Sequence, residues 1–315
     1  MDAGHITICL GQGIAIRSTR PANIGAIFAG RNVADVARLM PLLFAVCGRA
    51  QGEASRLALA MASGEQPDPA LPAAVTAEAI REHLMRMAVD WAKACGVVTD
   101  TSVLRRIHAL PRRAGEVPSP ELADEAQALL AELAADAAVI RAGNLEAVLS
   151  GKTIAAWLLR LVTTRGLSGW GHGEADPGET SAFTLVRGHA AMAPLLARHG
   201  DGLLSRLYAR PLHVAVLIET LAGRPAQALL GRQGEWGEAT VPTSRGLLTH
   251  RARRDGDQVT AYEISAPTDI NFNPQGIAAR RLGGTHPSTD DFPLRLFVEA
   301  LDPCVTYSIS AEAAS

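Results

Sequence analysis

The sequence predicts a mainly α-helical α+β fold with small β-hairpins near the two ends of the chain. Ala- and Leu-rich stretches dominate the 315 residues, which favours helix. Alternating apolar and polar residues occur near the beginning and again after Gly246. The length allows one large domain or two ordinary ones, and no linker forces a boundary. We therefore expect a single domain over 1–315, with a helical middle at about 70–225 and a hairpin and C-terminal site segment at about 240–310.

The predicted helices are recognised by their caps, their prolines and the spacing of their apolar residues. Asn32 is placed to cap the first of them. Pro120 stands at the first turn of another, where proline is favoured, and Pro303 follows the end of the last. In chain order the predicted helices run from Asn32 toward Cys47 and over about 51–63, 76–94, 120–142, 152–165, 188–198, 211–221 and 292–301.

The predicted strands form two hairpins. Residues 5–17 alternate loosely and turn at Gly11-Gln12-Gly13. Near the other end, residues 247–251 and 259–265 alternate on either side of Asp255-Gly256, a dipeptide that is typical of hairpin turns. Clusters of Pro, Gly and polar residues predict loops between the helices. These loops cover residues 67–72, 111–120 and 166–179.

Charge and cysteine usage exclude several classes of protein. Lys and Arg number 30 against 32 Asp and Glu, a net charge of −2 with no long block of one sign. This balance excludes a nucleic acid or an anionic membrane as the main partner. The four cysteines are far apart and form no CxxC pair, and the sequence shows no secretory signal and no apolar stretch of about 18 residues. We expect a cytoplasmic protein with reduced thiols.

Three tight turns near the C-terminal end supply candidate ligand-binding groups: Arg245, Thr268 and the thiol of Cys304. A hairpin that begins after Arg245 and ends before Pro267 brings the guanidinium and the hydroxyl to the same end. Five fixed N–H donors and one hydroxyl suit a small anionic ligand that is rich in acceptors. Cys47 lies far upstream, so only a folded core joins the two thiols. Each residue taken alone is also consistent with ordinary packing or a solvated surface.

Taken together, these segments resemble the large subunit of [NiFe] hydrogenases in a reduced and altered form. The resemblance extends over the whole chain, with the helical middle fitting loosely. The segments that carry it are GHITI at 4–8, IFAGRNVADV at 27–36, LFAVCGRAQ at 43–51, RGLLTH at 245–250, APTDIN at 266–271 and DPCVTY at 302–307. In order, they resemble the family's EGHxxI strand, the segment before its first cysteine pair, and its RxCGxCxxxH, APRG, VP(T/S)xWN and DPCxxC motifs.

The departures from the family's pattern imply that this chain is not an enzyme. Four thiolates hold nickel and iron in the hydrogenase, and two of those four cysteines are replaced here. We therefore expect no nickel and no hydrogen turnover. The replaced positions are Phe44 and Tyr307 for cysteines, Gln51 and Ser310 for histidines, and Ala3 for the acidic proton-relay residue.

The resemblance implies that the iron half of the hydrogenase centre is retained, as a transiently bound Fe(CN)2(CO) unit. Cys47 corresponds to a thiolate that bridges to iron. Cys304 corresponds to a terminal nickel ligand, which is expected here to serve iron as a second thiolate. Arg245, Pro267 and Thr268 correspond to the groups that cradle the cyanide ligands. Two further residues are expected behind these ligands, Gln51 and Asp302.

This combination resembles the HupK/HoxV group of hydrogenase maturation proteins. The resemblance implies a scaffold that holds or helps assemble the Fe(CN)2(CO) unit before its transfer to the hydrogenase large subunit. The implied partners are a HypC/HupF-type chaperone, other maturation factors and the large subunit itself. Two alternatives stay open: a metal-free mimic that recruits accessory chaperones, and a degenerate enzyme with residual redox activity. The sequence ends at Ser315 without a His-bearing tail, so we expect a helper rather than a substrate of the maturation protease.

Overall fold

The computed structural model describes residues 4–11, 14–21, 23–44, 46–174, 176–282 and 291–311. Ala3 and the turn residues Gln12 and Gly13 lie outside the described residues. The strands are β1 (His5–Leu10), β2 (Ile14–Ser18), β3 (Leu229–Gln233), β4 (Trp236–Thr243), β5 (Gly246–Asp255), β6 (Gln258–Ser265) and β7 (Thr306–Ala311). The α-helices are α1 (Val33–Leu43), α2 (Gly48–Ala62), α3 (Ala73–Arg86), α4 (Ala92–Ala94), α5 (Thr101–Arg113), α6 (Pro120–Leu133), α7 (Ala137–Arg141), α8 (Leu145–Ser150), α9 (Ile154–Thr164), α10 (Ala182–Val186), α11 (Ala193–His199), α12 (Leu203–Ala222), α13 (Pro267–Asn271), α14 (Ile277–Leu282) and α15 (Phe292–Leu301). Short 3₁₀ turns cover Ile24–Phe28 and Ala190–Met192, and a π-helical turn covers Met87–Trp91.

The first sheet joins the two ends of the described chain in the order β2-β1-β7. β1 and β2 are antiparallel, which confirms the predicted N-terminal hairpin. β7, which no local pattern predicted, pairs parallel with β1 and sets His5 opposite Thr306. The two ring nitrogens of His5 help to hold this register, because they lie 2.9 Å from Thr306 Oγ1 and 2.8 Å from Ser308 Oγ. The pairing places Cys304, just before β7, beside the N-terminal hairpin.

The second sheet has the order β3-β4-β5-β6, with every pair antiparallel. The predicted hairpin at Asp255-Gly256 is confirmed as β5 and β6, and β3 and β4 extend the sheet beyond the prediction. α2 packs tightly across β4: a Cβ on Gly237 would lie 2.2 Å from the carbonyl oxygen of Ala58. This packing sets the first turn of α2, which follows Cys47, against the turn between β4 and β5.

The helical part of the molecule is built around α12. Most of its 20 residues are buried, and α3, α6, α7, α10 and α15 pack around it. A helix that is apolar on all sides belongs in a core. Four buried polar side chains, those of Ser205, Arg206, Arg210 and His213, therefore need partners inside the fold. No helix among the described residues is long and apolar enough to cross a membrane.

Several predicted helices differ in extent from the observed ones, and two of them show the physical reason. The helix predicted over 120–142 is interrupted at Ala134, whose backbone (φ −134°, ψ −80°) is not helical. A new helix, α7, begins after Asp136, whose carboxylate accepts a backbone hydrogen bond of 2.7 Å. The helix predicted over 211–221 is the second half of α12, so Pro211 lies inside a helix. The core that surrounds α12 outweighs the backbone hydrogen bond that proline removes.

α5 was not predicted, and it shortens the linker expected over 111–120. Its signals are nevertheless present in the sequence. The carboxylate of Asp100 accepts the N–H of Ser102 at 2.6 Å and caps the helix. Apolar residues recur at helical spacing and are buried. They are Val103, Ile107 and Leu110, with Pro111 beside them in the last turn.

Candidate functional site

Cys47 lies at a tight reversal between α1 and α2. Its backbone is left-handed (φ 61°), which is uncommon for a residue other than glycine. Gly48 follows at a close approach, because a Cβ there would lie 2.7 Å from the carbonyl oxygen of Pro41. The carbonyl of Cys47 accepts the N–H of Gln51 at 2.9 Å and so begins α2. Cys47 is only 9% exposed as a result.

The N-terminus of α2 is occupied by a carboxylate from α3. Glu78 accepts the N–H of Arg49 at 3.0 Å and the N–H of Ala50 at 3.1 Å. Burial raises the pKa of Glu78, and these two hydrogen bonds oppose that rise. The contact satisfies two otherwise unpaired helix N–H groups, and it fixes α3 next to Cys47.

Arg245 lies in the turn between β4 and β5, with its guanidinium buried against Cys47. The turn requires glycine at Gly246, since φ is 121° and a Cβ would lie 2.3 Å from Thr180 Oγ1. Arg245 is 2% exposed. Its Nη1 lies 3.3 Å from Cys47 Sγ, and its Nη2 lies 3.0 Å from Glu82 Oε2.

One donor of the Arg245 guanidinium is unused. Nη1 and Nη2 are engaged, but Nε is buried and has no hydrogen-bond partner among the described residues. A buried donor without a partner costs roughly 1–3 kcal/mol. An acceptor supplied by a ligand would remove that cost. The site therefore has a donor available beside the Cys47 thiol.

Cys304 follows α15 on the turn Asp302-Pro303-Cys304. Its thiol accepts hydrogen bonds from Thr268 Oγ1 at 3.2 Å and from Arg20 Nη1 at 3.0 Å. Its own N–H donates to the same Thr268 hydroxyl at 3.0 Å. Pro267 is buried at the first position of α13, where its fixed φ sets the position of Thr268. The thiol is thus held by two donors.

Arg20 is a member of the site that the sequence did not predict. It follows β2, and its Nε lies 2.7 Å from Asp269 Oδ1 while its Nη2 lies 3.4 Å from Asp269 Oδ2. This two-pronged ion pair orients the guanidinium so that the third nitrogen reaches Cys304. Arg20 and Asp269 are 249 residues apart in sequence, so no local pattern relates them.

Asp302 is the charged centre of the cluster. It is 3% exposed, and its carboxylate lies 2.7 Å from Arg86 Nε, 3.3 Å from Arg210 Nη1 and 3.6 Å from Arg245 Nη2. Burial alone would raise the pKa of Asp302, but Arg245, Arg210 and Arg86 together lower it below its usual value. Asp302 therefore carries a negative charge that links the guanidinium beside Cys47 to the turn bearing Cys304.

Behind Asp302, a chain of buried polar groups leads into the helical part. Arg210 Nη1 lies 3.1 Å from His83 Nδ1, and His83 Nε2 lies 2.9 Å from His213 Nδ1. Because arginine only donates, His83 accepts at Nδ1 and carries its proton on Nε2. Burial lowers the pKa of His83 well below its usual value and that of His213 to about 4. Both rings are neutral near pH 7.

Protonation of the site follows from burial and charge. Burial raises the pKa of the Cys47 thiol to about 12, although the Arg245 guanidinium opposes this rise. The free thiol is therefore protonated near pH 7. Burial would lower the pKa of Arg245, but the carboxylates of Asp302 and Glu82 raise it well above its usual value. Arg245 stays a cation beside a neutral thiol.

Gln51 lies behind Cys47, with its side chain directed to the second sheet. Its Oε1 lies 2.8 Å from His250 Nε2, and His250 Nδ1 lies 2.7 Å from the Tyr262 hydroxyl. Burial lowers the pKa of His250 to about 3, so this ring is also neutral. Gln51 meets Cys47 through the backbone bond that begins α2.

A cavity of about 720 Å³ lies on the Cys304 side of the cluster. Cys304 is half-buried and lines it, whereas Cys47 is nine-tenths buried. Tyr307 also lines the cavity, and its hydroxyl lies 3.5 Å from Glu299 Oε1. Burial, with a contribution from Asp90, raises the pKa of Glu299 to about 7. Cys304 is thus the thiol that faces open space.

The structure places the sequence-predicted residues in one connected cluster. Arg245 contacts Cys47 and pairs with Asp302, and Cys304 contacts Thr268. Pro267 lies beneath Thr268, and Gln51 lies behind Cys47. The sequence analysis did not identify several charged residues of the cluster. The one sequence signal for any of them is Arg210, an arginine within the apolar run of α12. The missed residues are Arg20, Glu78, Glu82, Arg86 and Arg210.

Among the described residues, the cluster offers thiols and hydrogen-bond donors rather than a set of metal-ligating side chains. In the parts of the chain that the structure describes, no group of three or more His, Cys, Asp or Glu side chains is arranged to hold a metal ion. Two thiols surrounded by guanidinium and hydroxyl donors are present instead. Thiolates favour soft and borderline metals, and the donors favour anionic ligands on such a metal.

No protein-family model matches this chain, but curated relatives match nearly all of it. Hydrogenase expression/formation protein HupV of Azotobacter chroococcum mcd 1 is 27% identical over 338 residues, 95% of this chain and 94% of the relative. HupK of Rhodobacter capsulatus is 29% identical over 322 residues, covering 95% and 94%. HoxV of Cupriavidus necator is 27% identical over 395 residues, covering 97% and 95%. These matches confirm the HupK/HoxV-type resemblance predicted from the sequence.

Solved structures confirm the predicted fold. The Ni-Fe-Se hydrogenase from D. vulgaris Hildenborough in the reduced state superposes with a TM-score of 0.59 at 13% identity, covering 93% of this chain and 94% of that chain. An NAD+-reducing [NiFe]-hydrogenase gives a TM-score of 0.55 at 16% identity, covering 93% of each chain. The chain therefore has the α+β fold of a [NiFe] hydrogenase large subunit. At such low identity the likeness concerns the fold alone.

Proposed function

We propose that this relative of the HupK/HoxV-type hydrogenase expression/formation proteins holds an Fe(CN)2(CO) unit between Cys47 and Cys304 before the unit passes to the hydrogenase large subunit. The role of the chain in hydrogenase maturation rests on relatives that match it from end to end. The site residues support the further proposal of which group the chain carries and which side chains hold it. On this proposal the chain is a scaffold and not a catalyst.

The observation that carries the proposal is the unused Nε donor of Arg245. This N–H is buried, has no acceptor among the described residues, and belongs to the guanidinium whose Nη1 contacts the Cys47 thiol. A cyanide ligand on iron presents an anionic nitrogen, which makes a charge-assisted hydrogen bond with a guanidinium. An iron unit bound to Cys47 would bring such a nitrogen to the donor. The cyanide nitrogen would then accept the hydrogen bond of the Arg245 Nε donor, which has no acceptor among the described residues of the unloaded fold.

The charges around the two thiols support the same cargo. Two thiolates and two cyanides bring negative charge into a buried place, which costs several kcal/mol per ion unless it is paired. Arg245 lies beside one thiol and Arg20 beside the other. Thr268 and Pro267 complete the proposed cradle on the Cys304 side. The position of one cation beside each thiol supports an anionic cargo.

The direct test is coexpression with a HypC/HupF-type chaperone and the other accessory proteins, followed by anaerobic purification. We expect iron in the protein and infrared bands in the cyanide and carbonyl stretching region. Cys47→Ala and Cys304→Ala should each lose both signals. Cys95→Ala is the matched control, since Cys95 is also a free, half-buried thiol but contacts the Ile154 carbonyl away from the cluster. Bands that persist unchanged in both site variants contradict the proposal.

Arg245→Lys tests the role of the guanidinium separately. The variant keeps a positive charge but lacks the Nε donor and the fork that reaches Cys47 and Glu82. We expect shifted cyanide bands and weaker retention of iron, because hydrogen bonding to cyanide changes. Identical cyanide bands in the variant would show that Arg245 does not contact the cyanide ligands.

The alternative is a metal-free mimic of the large subunit that recruits accessory chaperones. One observation favours it: the described residues offer the cluster only two thiols and no group of three metal-ligating side chains. The two functions are separated by measuring iron per chain together with chaperone binding. Binding without iron, and unaffected by Cys47→Ala, supports the mimic. Binding that is lost together with iron supports the scaffold.

A further inference from the structure

A second cavity, of about 410 Å³, lies on the surface between α3 and α5. Its half-buried lining residues are apolar and its exposed lining residues are basic. We call it the α3–α5 groove. It is lined by Met85, Leu104 and Ala109 on the floor and by Arg105, His108 and Arg112 on the rim.

The arginines of α5 point in two directions, and those that face α6 are neutralised. Arg106 lies 2.8 Å from Glu125 and 3.0 Å from Glu132. Arg113 lies 3.6 Å from Glu121. These pairs join α5 to three carboxylates of α6.

The arginines that face the groove have no such partners. Arg105 and Arg112 are seven residues apart, so they share one face of the helix. Neither forms an ion pair among the described residues. The exposed Asp100 has a long-range electrostatic interaction with Arg105 but forms no ion pair with it. His108 lies between them on the rim. A concentration of positive charge therefore flanks an apolar floor, on a chain whose net charge is −2.

We propose that the α3–α5 groove binds an acidic amphipathic segment of a partner protein, with its apolar side chains on the floor and its carboxylates at the rim. Apolar grooves with charged rims bind amphipathic segments in this way, and opposite charge selects the partner. The rim has only two arginines, on a chain whose net charge is −2, which disfavours a nucleic acid. The floor is recessed and projects no apolar side chain, which disfavours a membrane surface.

The groove adjoins the helix that carries much of the site. Met85 on the floor precedes Arg86, whose Nε lies 2.7 Å from Asp302 Oδ1. One turn earlier, Glu82 pairs with Arg245. A partner in the groove therefore rests on α3, the helix that positions these charges. The proposal does not require iron, and it is tested on the unloaded protein.

The test is fluorescence anisotropy of the full-length protein with a labelled 18-residue helical peptide that has Leu on one face and Glu on the other. We expect saturable binding that weakens with salt. Arg105→Glu combined with Arg112→Glu should weaken binding about ten-fold or more, because two attractive contacts become repulsive. The matched control, Arg187→Glu combined with Arg224→Glu, makes the same charge change at exposed arginines elsewhere.

Ala109→Gln tests the floor, because it lays a polar chain across the apolar surface and leaves both rim arginines in place. Weaker binding in this variant and in the rim variant, with the control unchanged and all melting curves alike, supports the groove. Equal weakening by the control pair overturns the proposal, because binding would then follow net charge. Equal binding of a peptide with Lys in place of Glu, or no saturable binding at all, also overturns it. Rim-dependent binding to anionic phosphatidylserine vesicles but not to the peptide would assign the groove to a lipid surface instead.

Discussion

Replacing Asp302 by Asn tests whether the buried arginines depend on a single carboxylate. Asp302 is 3% exposed and lies 2.7, 3.3 and 3.6 Å from nitrogens of Arg86, Arg210 and Arg245. Asn has nearly the same shape, so the substitution removes a charge without opening a cavity. The measured effect therefore reports on electrostatics and hydrogen bonding.

The expected magnitude follows from what each arginine keeps. Arg245 keeps Glu82 at 3.0 Å, and Arg86 keeps Asp90 at 2.9 Å. Arg210 keeps a histidine ring, a backbone carbonyl and the face of the Trp91 ring, none of which carries a charge. One buried cation then keeps no ion pair among the described residues, and Glu299, which interacts with Arg210 at longer range, has a pKa raised to about 7 by burial and is only partly ionised. Breaking a buried pair in this way costs about 3–5 kcal/mol, and we expect the free energy of unfolding to fall by that amount.

The assay is urea unfolding near pH 7, followed by tryptophan fluorescence. Asp291→Asn is the matched control, because Asp291 precedes α15 as Asp302 follows it, and it pairs with the half-exposed Arg295 at 2.6 Å. A surface pair of this kind contributes less than about 1 kcal/mol. Adding Arg210→Met to Asp302→Asn should recover part of the loss, because the unpaired cation is removed. Equal, small losses in the two single variants would refute the reasoning.

Three further predictions concern the thiols and the buried rings. Cys304 should react with a bulky maleimide at least about ten-fold faster than Cys47, because it lines a cavity while Cys47 is buried and protonated; comparable rates on peptide mapping would contradict this. Thr268→Val should cost about 1–3 kcal/mol, since the N–H of Cys304 loses its acceptor, whereas Thr268→Ser should cost less in the same unfolding assay. Stability should fall from pH 7 to pH 5, because the unfolded chain protonates His250, whose folded pKa is about 3 against an ordinary 6.5. This ring accounts for about 2 kcal/mol of the fall, and His83 and His213, whose pKa values are also lowered by burial, contribute to the rest. His250→Gln should therefore reduce the slope without abolishing it, and an unchanged slope would exclude His250 as a source.

Local patterns predicted those parts of the fold whose signals lie within a few residues of one another. The Asn32 side chain accepts the N–H of Ala34 at 2.9 Å and caps α1, as expected. The Asp255-Gly256 turn and the closing helix were predicted in the same way. β7 could not be predicted, because its pairing with β1 depends on a partner at the other end of the chain. α5 was missed for another reason: Pro111 resembles a helix breaker, and packing on α3 and α6 outweighs that preference.

The sequence by itself determined which reactive groups the chain possesses, and the order of its motifs named Cys47, Arg245 and Cys304 as candidates. Only the tertiary structure decided what surrounds them. Arg20 reaches Cys304 across 284 residues, and Arg245 pairs with Glu82 across 163. Contacts over such separations depend on how helices and sheets pack, which no local period encodes. A buried charge must be neutralised by whatever partner the fold brings to it, and only the folded chain identifies that partner.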